Sequence, residues 1–326
     1  MSKKLTVSVK GYKDKDKDKA IFLGKYIVGI VKQVSQDIFL GDLDGITIGH
    51  DYKTALAELD IGFETADTLK PSEGDVDSFG MTSIVKREGK LKSHIVLNGL
   101  LVEQFLETQN NDFIFHFIAH ECAHVEVNSV KNKCFPGFLP FQASGVQENI
   151  RTMTALSCID EYLVCHIVAK KKHNPMDDYV TIFLEALKTT REASNQAIKN
   201  YRISGEPTDV VYAEVAEINS ELMRRAGYLL GTIHGQGKKV VDIDEVYKKL
   251  SKHWFLPHFK NLEIELQKVQ SKYGKWKNLD DFLSIGKIAI KLITEAGLIH
   301  SFTPSGEEYI DIPFTSETTP IIEAEQ

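Results

Sequence analysis

His120-Glu121-Cys122-Ala123-His124 is the stretch that decides how this 326-residue chain is interpreted. Residues four apart in an α-helix lie one turn apart on the same face, so His120 and His124 can direct both imidazoles at one metal ion. Glu121 falls on the adjoining flank of the helix. This H-E-x-x-H spacing predicts a zinc site with Glu121 as the general base of a hydrolytic reaction.

The residues before the motif predict that its helix is buried. A strongly apolar run, 113–119, is interrupted only by His116, and it predicts a helix over Phe113–Val127 with Asp112 as its cap. Burying unpaired polar side chains is costly, so a buried histidine pair calls for a metal or another partner. We interpret His116 as a core residue or as a residue that contacts a metal ligand without binding the metal itself, and direct metal ligation is the less favoured alternative.

A catalytic zinc normally has three protein ligands and one open position, so a third ligand is expected elsewhere. Asp160 and Glu161 are the only charged residues of the apolar run 153–169. We predict that Glu161 is the ligand and that Asp160 orients a ligating imidazole. The reverse assignment and simple surface ion pairs are alternatives. Other candidate ligands are Glu148, His166 and Glu126.

Upstream of the motif, the pattern predicts a helix and a small sheet. The predicted elements are a strand at Leu5–Val9, a helix at Ile21–Leu40, strands at Gly45–His50 and Thr54–Gly62, a surface loop at Pro71–Gly80, a hairpin within Thr82–Leu97 and a helix at Leu100–Thr108. Ser93–Leu97 is a candidate edge strand for an extended peptide, with an internal strand as the alternative. The alternating charges of Lys13–Lys19 indicate a solvated loop or helix start, and a docking site is the less favoured interpretation.

Downstream of the motif, the chain is predicted to be mainly helical. A loop is expected at Ser129–Asn149, followed by helices at Ile150–Lys172, Met176–Tyr201, Thr208–His234, Asp244–Trp254, Leu262–Lys272 and Asp280–Ala296. The predicted class is therefore α+β, with a catalytic core over 1–172, a helical region over 173–300 and an extended or partly disordered tail over 301–326.

Composition excludes several classes of protein. The chain is 42% hydrophobic and 26% charged with a formal net charge of −7, which provides no basic surface for nucleic acid. Four cysteines without a CxxC pair, no signal peptide and no apolar run long enough to span a bilayer predict a cytoplasmic protein with reduced thiols. The expected partners are peptides or proteins, and the oligomeric state is not predicted.

The order of a helix, a three-stranded sheet, the His120-Glu121-x-x-His124 helix and a helix with Glu161 resembles the gluzincin branch of zinc metallopeptidases. Over residues 20–172 the layout is similar to cytoplasmic peptidases of the ImmA/IrrE type, which cleave transcriptional repressors. The chain departs from that group at Asn128, where a histidine is frequent, and at Tyr162–Val164, where small residues are frequent.

The resemblance also implies a residue that supports the oxyanion. In gluzincins a Tyr or His from a later helix often has this role, and Tyr228 and His234 are the candidates here. A tyrosine packed by its ring with a solvated hydroxyl is the ordinary alternative.

The resulting prediction is a zinc peptidase in which His120, His124 and Glu161 bind Zn²⁺ and Glu121 activates water. Two alternatives remain open. The chain could be a zinc-binding regulatory protein without catalysis, or a metal-free interaction protein whose histidines belong to the core.

Overall fold

The computed structural model describes residues 5–64, 68–70, 79–143 and 145–320. These residues form ten α-helices, a four-stranded mixed sheet and a two-stranded sheet, which confirms the α+β class. No helix in these ranges is long and apolar enough to cross a membrane. Contacts divide the chain into a first unit, up to Pro140 together with Ile167–Asn174, and a second unit, Phe141–His166 together with the chain from Pro175 onward. The predicted division at residue 172 stays a prediction.

The first unit is built on the strands β1 (Val7–Lys10), β2 (Leu43–Gly49), β3 (Gly80–Arg87) and β4 (Lys90–Asn98), in the order β1-β2-β4-β3. The β1-β2 and β2-β4 pairs are parallel, and the β3-β4 hairpin is antiparallel. The sheet therefore has one more strand than the three in the layout that suggested the resemblance.

Strand β4 is internal, because β2 and β3 pair with its two sides. The prediction that Ser93–Leu97 forms an edge is wrong, and the alternative of an internal strand is confirmed. Among the described residues β3 pairs with no other strand, so β3 is a terminal strand of the sheet.

Four helices complete the first unit. They are α1 (Lys17–Val34), α2 (Tyr52–Ala57), α3 (Gly99–Glu107) and α4 (Asn111–Cys134). Helix α1 buries Leu23, Ile27 and Val31 at helical spacing, as expected for a crossover between parallel strands. Helix α4 packs against α1, β3 and β4, so it lies at the centre of this unit.

The strand predicted at Thr54–Gly62 is wrong, because α2 occupies the start of that segment. The Asp51 carboxylate accepts hydrogen bonds from the Thr54 backbone N–H at 3.1 Å and from the Thr54 hydroxyl at 2.7 Å. As the N-cap, Asp51 provides an acceptor for the Thr54 backbone N–H, which has no acceptor inside the helix. This contact favours a helix over a strand. The predicted loop at Pro71–Gly80 lies mostly outside the described residues, and its last residue, Gly80, begins β3.

Helix α4 continues to Cys134, so the prediction that a loop begins at Ser129 is wrong. Asp112 lies inside the first turn of α4, and the cap position is held by Asn110. The Ser129 hydroxyl donates a hydrogen bond of 2.5 Å to Asp42, and this contact anchors the extra turns of the helix to the chain before β2.

The second unit is mainly helical, as predicted. Its elements are α5 (Val146–Val168), α6 (Met176–Ser204), α7 (Thr208–Gly235), α8 (Asp244–Leu250), α9 (Leu256–Ser271), α10 (Asp280–Glu295), β5 (Ile299–Phe302) and β6 (Glu308–Asp311). Residues of α6, α7 and α10 share a buried apolar cluster that includes Ile198, Val215 and Ile293. Strands β5 and β6 form an antiparallel pair, of which β6 and the last two residues of β5 fall in the segment 301–326 that was predicted to be an extended or partly disordered tail.

Candidate metal centre

Helix α4 holds His120 and His124 in the relation that the motif predicts. Their Nε2 atoms are 3.3 Å apart, and their ring planes are inclined at 73°. Two donors that each lie about 2.1 Å from a tetrahedral zinc ion are about 3.4 Å apart. The observed separation of the two nitrogens therefore matches joint coordination of one ion.

Glu161, on α5, is the third member of the group. One ligand atom from each of His120, His124 and Glu161 lies within 4.8 Å of the other two. This set of two imidazoles and one carboxylate is typical of a catalytic zinc site, which keeps a fourth position open. Asp160 is not in this group, as expected if only one of two adjacent helical residues faces the ion.

Glu121 is fixed by a residue of β3. The Thr82 hydroxyl donates a hydrogen bond to Glu121 Oε2 at 2.6 Å, and it lies 3.1 Å from the Glu121 backbone carbonyl. Glu121 is 7% exposed, so this bond forms where water screens it little. It leaves Oε1 of the same carboxylate available for proton transfer. The sequence analysis did not select Thr82.

Tyr228 lies beside Glu161 in the second unit. Burial raises the pKa of Tyr228 well above its ordinary value, and the Glu161 carboxylate, to which the phenol donates a hydrogen bond, raises it further. The Tyr228 ring stacks on Tyr179 with 5.1 Å between the ring centroids. Tyr228 is therefore placed to orient the carboxylate of the candidate ligand.

Two glycines explain how α7 brings Tyr228 so close to α5. A Cβ atom at Gly227 would lie 2.7 Å from the Cys158 carbonyl oxygen, and one at Gly231 would lie 2.3 Å from that of Tyr162. Real Cβ atoms do not approach so closely, so both positions require glycine. The turn of α7 between these glycines carries Tyr228.

Arg224, one turn before Tyr228 on α7, adds a positive charge near Glu161. Burial alone would lower the pKa of Arg224, but Tyr228, the ion pair with Glu221 and the Glu161 carboxylate together raise it. The guanidinium is therefore charged and favours the ionised form of Glu161, which a metal ion requires. The sequence analysis did not select Arg224 either.

His234 belongs to a different network from Tyr228. Its Nδ1 lies 2.9 Å from the Tyr162 hydroxyl, and its Nε2 lies 3.2 Å from Glu263 Oε1. Both ring nitrogens thus have partners in the second unit. The catalytic roles of Tyr228 and His234 stay predictions.

The other candidate ligands are outside the group of three. Glu126 accepts a hydrogen bond of 2.7 Å from the Phe39 backbone N–H, which is a structural role. Glu148 lies in the first turn of α5, and His166 lies one turn beyond Glu161 with its ring 6.2 Å from that of Tyr162. The three residues that the sequence analysis predicted as ligands are therefore the ones whose ligand atoms lie within 4.8 Å of one another, and their binding of zinc stays a prediction.

His116 is a buried residue of α4, one turn before His120. It is 1% exposed, and its ring centroid lies 5.7 Å from that of His173. Burial is the largest cause that lowers the pKa of His116 to about 3, and the nearby His120 and His173 lower it further. This imidazole is neutral at physiological pH, in line with the interpretation as a core residue.

Comparisons with known proteins add no relative. No family model, no curated protein and no solved structure matches the chain. The interpretation of the site therefore rests on the residues and their geometry.

Proposed function

We propose that the chain is a zinc-dependent peptidase of the gluzincin type, with a zincin-like core. The observation that carries the proposal is the convergence of His120, His124 and Glu161, whose ligand atoms lie within 4.8 Å of one another. The imidazole spacing of 3.3 Å and the donor types fit zinc. When bound, zinc supplies a Lewis acid that polarises the scissile carbonyl.

Glu121 performs the proton transfers. Because Thr82 donates to Oε2, Oε1 is the atom that accepts a proton from the attacking water. The same oxygen then delivers the proton to the leaving amine. A structural zinc site has four protein ligands and needs no base, so a glutamate held by Thr82 beside three candidate ligands favours catalysis over a structural role.

The substrate in this proposal is an extended peptide. The terminal strand β3 carries Thr82, which contacts Glu121, so a peptide paired with β3 would pass beside the general base. Strand addition of this kind uses backbone hydrogen bonds and tolerates many sequences. The proposal includes a cytoplasmic location, supported by four cysteines that are all free thiols.

Zinc content and peptide cleavage test the proposal together. Purified protein without a metal-binding tag should hold about one zinc per chain. Glu121→Gln should keep the zinc and lose cleavage of a peptide library by at least about 100-fold, because it removes the general base. Glu107→Gln, an exposed change on α3, serves as the control and should cleave like the wild type.

Each contrary outcome has a distinct meaning. Protein that neither carries zinc nor gains it on dialysis would overturn the metal site and favour an interaction protein. Full zinc occupancy without cleavage by the wild type would favour a regulatory zinc protein. Unchanged cleavage by Glu121→Gln would remove Glu121 from the mechanism.

A further inference from the structure

A cavity of about 280 Å³ lies in the first unit, away from the residues of the motif. Tyr12, which closely follows β1, and His50, which directly follows β2, are part of its wall. Strands β1 and β2 are parallel, with Lys10 paired to Gly49 at their carboxyl ends. In sheets with parallel strands, ligands bind outside the carboxyl ends, beside the helix that follows a strand.

Glu103 is the buried carboxylate of this cavity, and it already has partners. It is 8% exposed, forms an ion pair with Lys19 and accepts a hydrogen bond of 2.5 Å from the Tyr12 hydroxyl. Burial, and then the hydrogen bond to Glu103, raise the pKa of Tyr12, so the phenol stays protonated. These contacts neutralise the carboxylate and fix one side of the wall.

Lys13 and Lys15, also in the wall, are exposed cations that form no ion pair in the described parts of the chain. Asp16 is the one lining carboxylate besides Glu103, and the lining lysines outnumber these two acids by one. All of these residues except Glu103 come from the alternating-charge run over Lys13–Lys19. Three lining lysines and two lining carboxylates leave an excess of one positive charge, and Lys13 and Lys15 are the lysines that form no ion pair among the described residues.

Two further groups in the wall can interact with a bound anion. Asp16 is the N-cap of α1, an 18-residue helix, but its side chain makes no capping hydrogen bond. The 3-10 turn Asp14–Asp16 leads directly into α1, so the positive end of the helix dipole lies at this turn, where it attracts anions. His50 Nδ1 is buried and has no hydrogen-bond partner among the described residues, while the His50 ring packs against that of Tyr12 with 4.9 Å between the ring centroids.

We propose that this cavity binds a small ligand that bears a phosphate group. Lys13 and Lys15 supply positive charge, and the amino terminus of α1 adds the positive end of its dipole, with His50 and Tyr12 also lining the cavity. The volume lies near the lower end for small-molecule pockets, about 300–1,000 Å³, which suits a compact phosphomonoester. The site does not depend on the metal centre.

Titration with inorganic phosphate in a calorimeter tests this site. The wild type should bind phosphate saturably, and the double variant Lys13→Ala/Lys15→Ala should bind it at least tenfold more weakly. The matched control is Lys25→Ala/Lys32→Ala, which removes the same charge from exposed positions of α1 outside the cavity and should bind like the wild type.

Two outcomes would overturn the proposal. The wild type could show no saturable binding, or both double variants could bind phosphate equally. Phosphate held at a metal ion on α4 would give the second result, because neither pair of lysines belongs to that group. The matched control therefore separates the cavity from the metal centre and from the effect of net charge.

Discussion

The Thr82 hydroxyl on β3 donates a hydrogen bond of 2.6 Å to Oε2 of Glu121 on α4. A hydrogen bond to a charged group contributes roughly 1.5–3 kcal/mol. Thr82→Val keeps the β-branched shape but loses this donor. We expect kcat for peptide cleavage to fall about 10- to 100-fold, because each 1.4 kcal/mol corresponds to about a factor of ten, while zinc content and KM stay unchanged.

Thr82→Ser is the matched variant, because it keeps the hydroxyl. It should recover most of the activity that Thr82→Val loses. If Thr82→Val were fully active, Thr82 would not position the base, and if Thr82→Ser were as impaired as Thr82→Val, the effect would come from strand packing.

Glu161 and its neighbour Asp160 can be separated by their effect on zinc content. Glu161→Ala should lose bound zinc, because it removes one of the three converging ligands. Asp160→Ala should retain about one zinc per chain, because Asp160 is outside the group of three. Elemental analysis of both proteins after the same dialysis is the measurement. Zinc loss from Asp160→Ala alone would reverse the assignment.

Tyr228→Phe should weaken zinc binding, because it removes the hydrogen bond to Glu161 while keeping the ring stacked on Tyr179. Loss of such an outer partner costs about 10- to 100-fold in metal affinity. Competition with a chromogenic chelator measures this change. If zinc affinity is unchanged but kcat falls, Tyr228 contacts the substrate instead, as the gluzincin resemblance implies.

The parts of the site that could be predicted from the sequence depend on local spacing. His120 and His124 are one helical turn apart whatever the rest of the chain does, and the apolar run before them marks a buried helix. Glu161 was detectable because a carboxylate in an apolar helix needs a partner. These signals need no knowledge of tertiary structure.

The parts that were missed depend on contacts between distant segments. Thr82 reaches Glu121 across 39 residues, and only the pairing of β3 with β4 and the packing of α4 on them bring the two together. Arg224 approaches Glu161 because Gly227 and Gly231 allow α7 to lie close to α5. The composition of Thr54–Gly62 favours a strand, but Asp51 caps a helix at the start of this segment. The helix cap outweighed the β-like composition, so the strand prediction failed there.

His116 should make the metal-free protein sensitive to mild acid. Burial is the main cause that lowers its pKa from 6.5 to about 3 in the folded protein. Between these values the unfolded chain binds a proton that the folded chain excludes, so the stability contributed by neutral His116 is present above pH 6.5 and is lost as the pH falls towards 3. From pH 7.0 to 5.5 this linkage amounts to about 1 kcal/mol.

Urea unfolding of chelator-treated protein at pH 7.0 and 5.5 measures this loss of stability. The loss should be seen in the wild type and should be smaller in His116→Leu. Equal losses in the two proteins would mean that His116 is protonated in the folded protein. Chelation keeps zinc release from contributing to the difference, and His120 and His124 are present in both proteins.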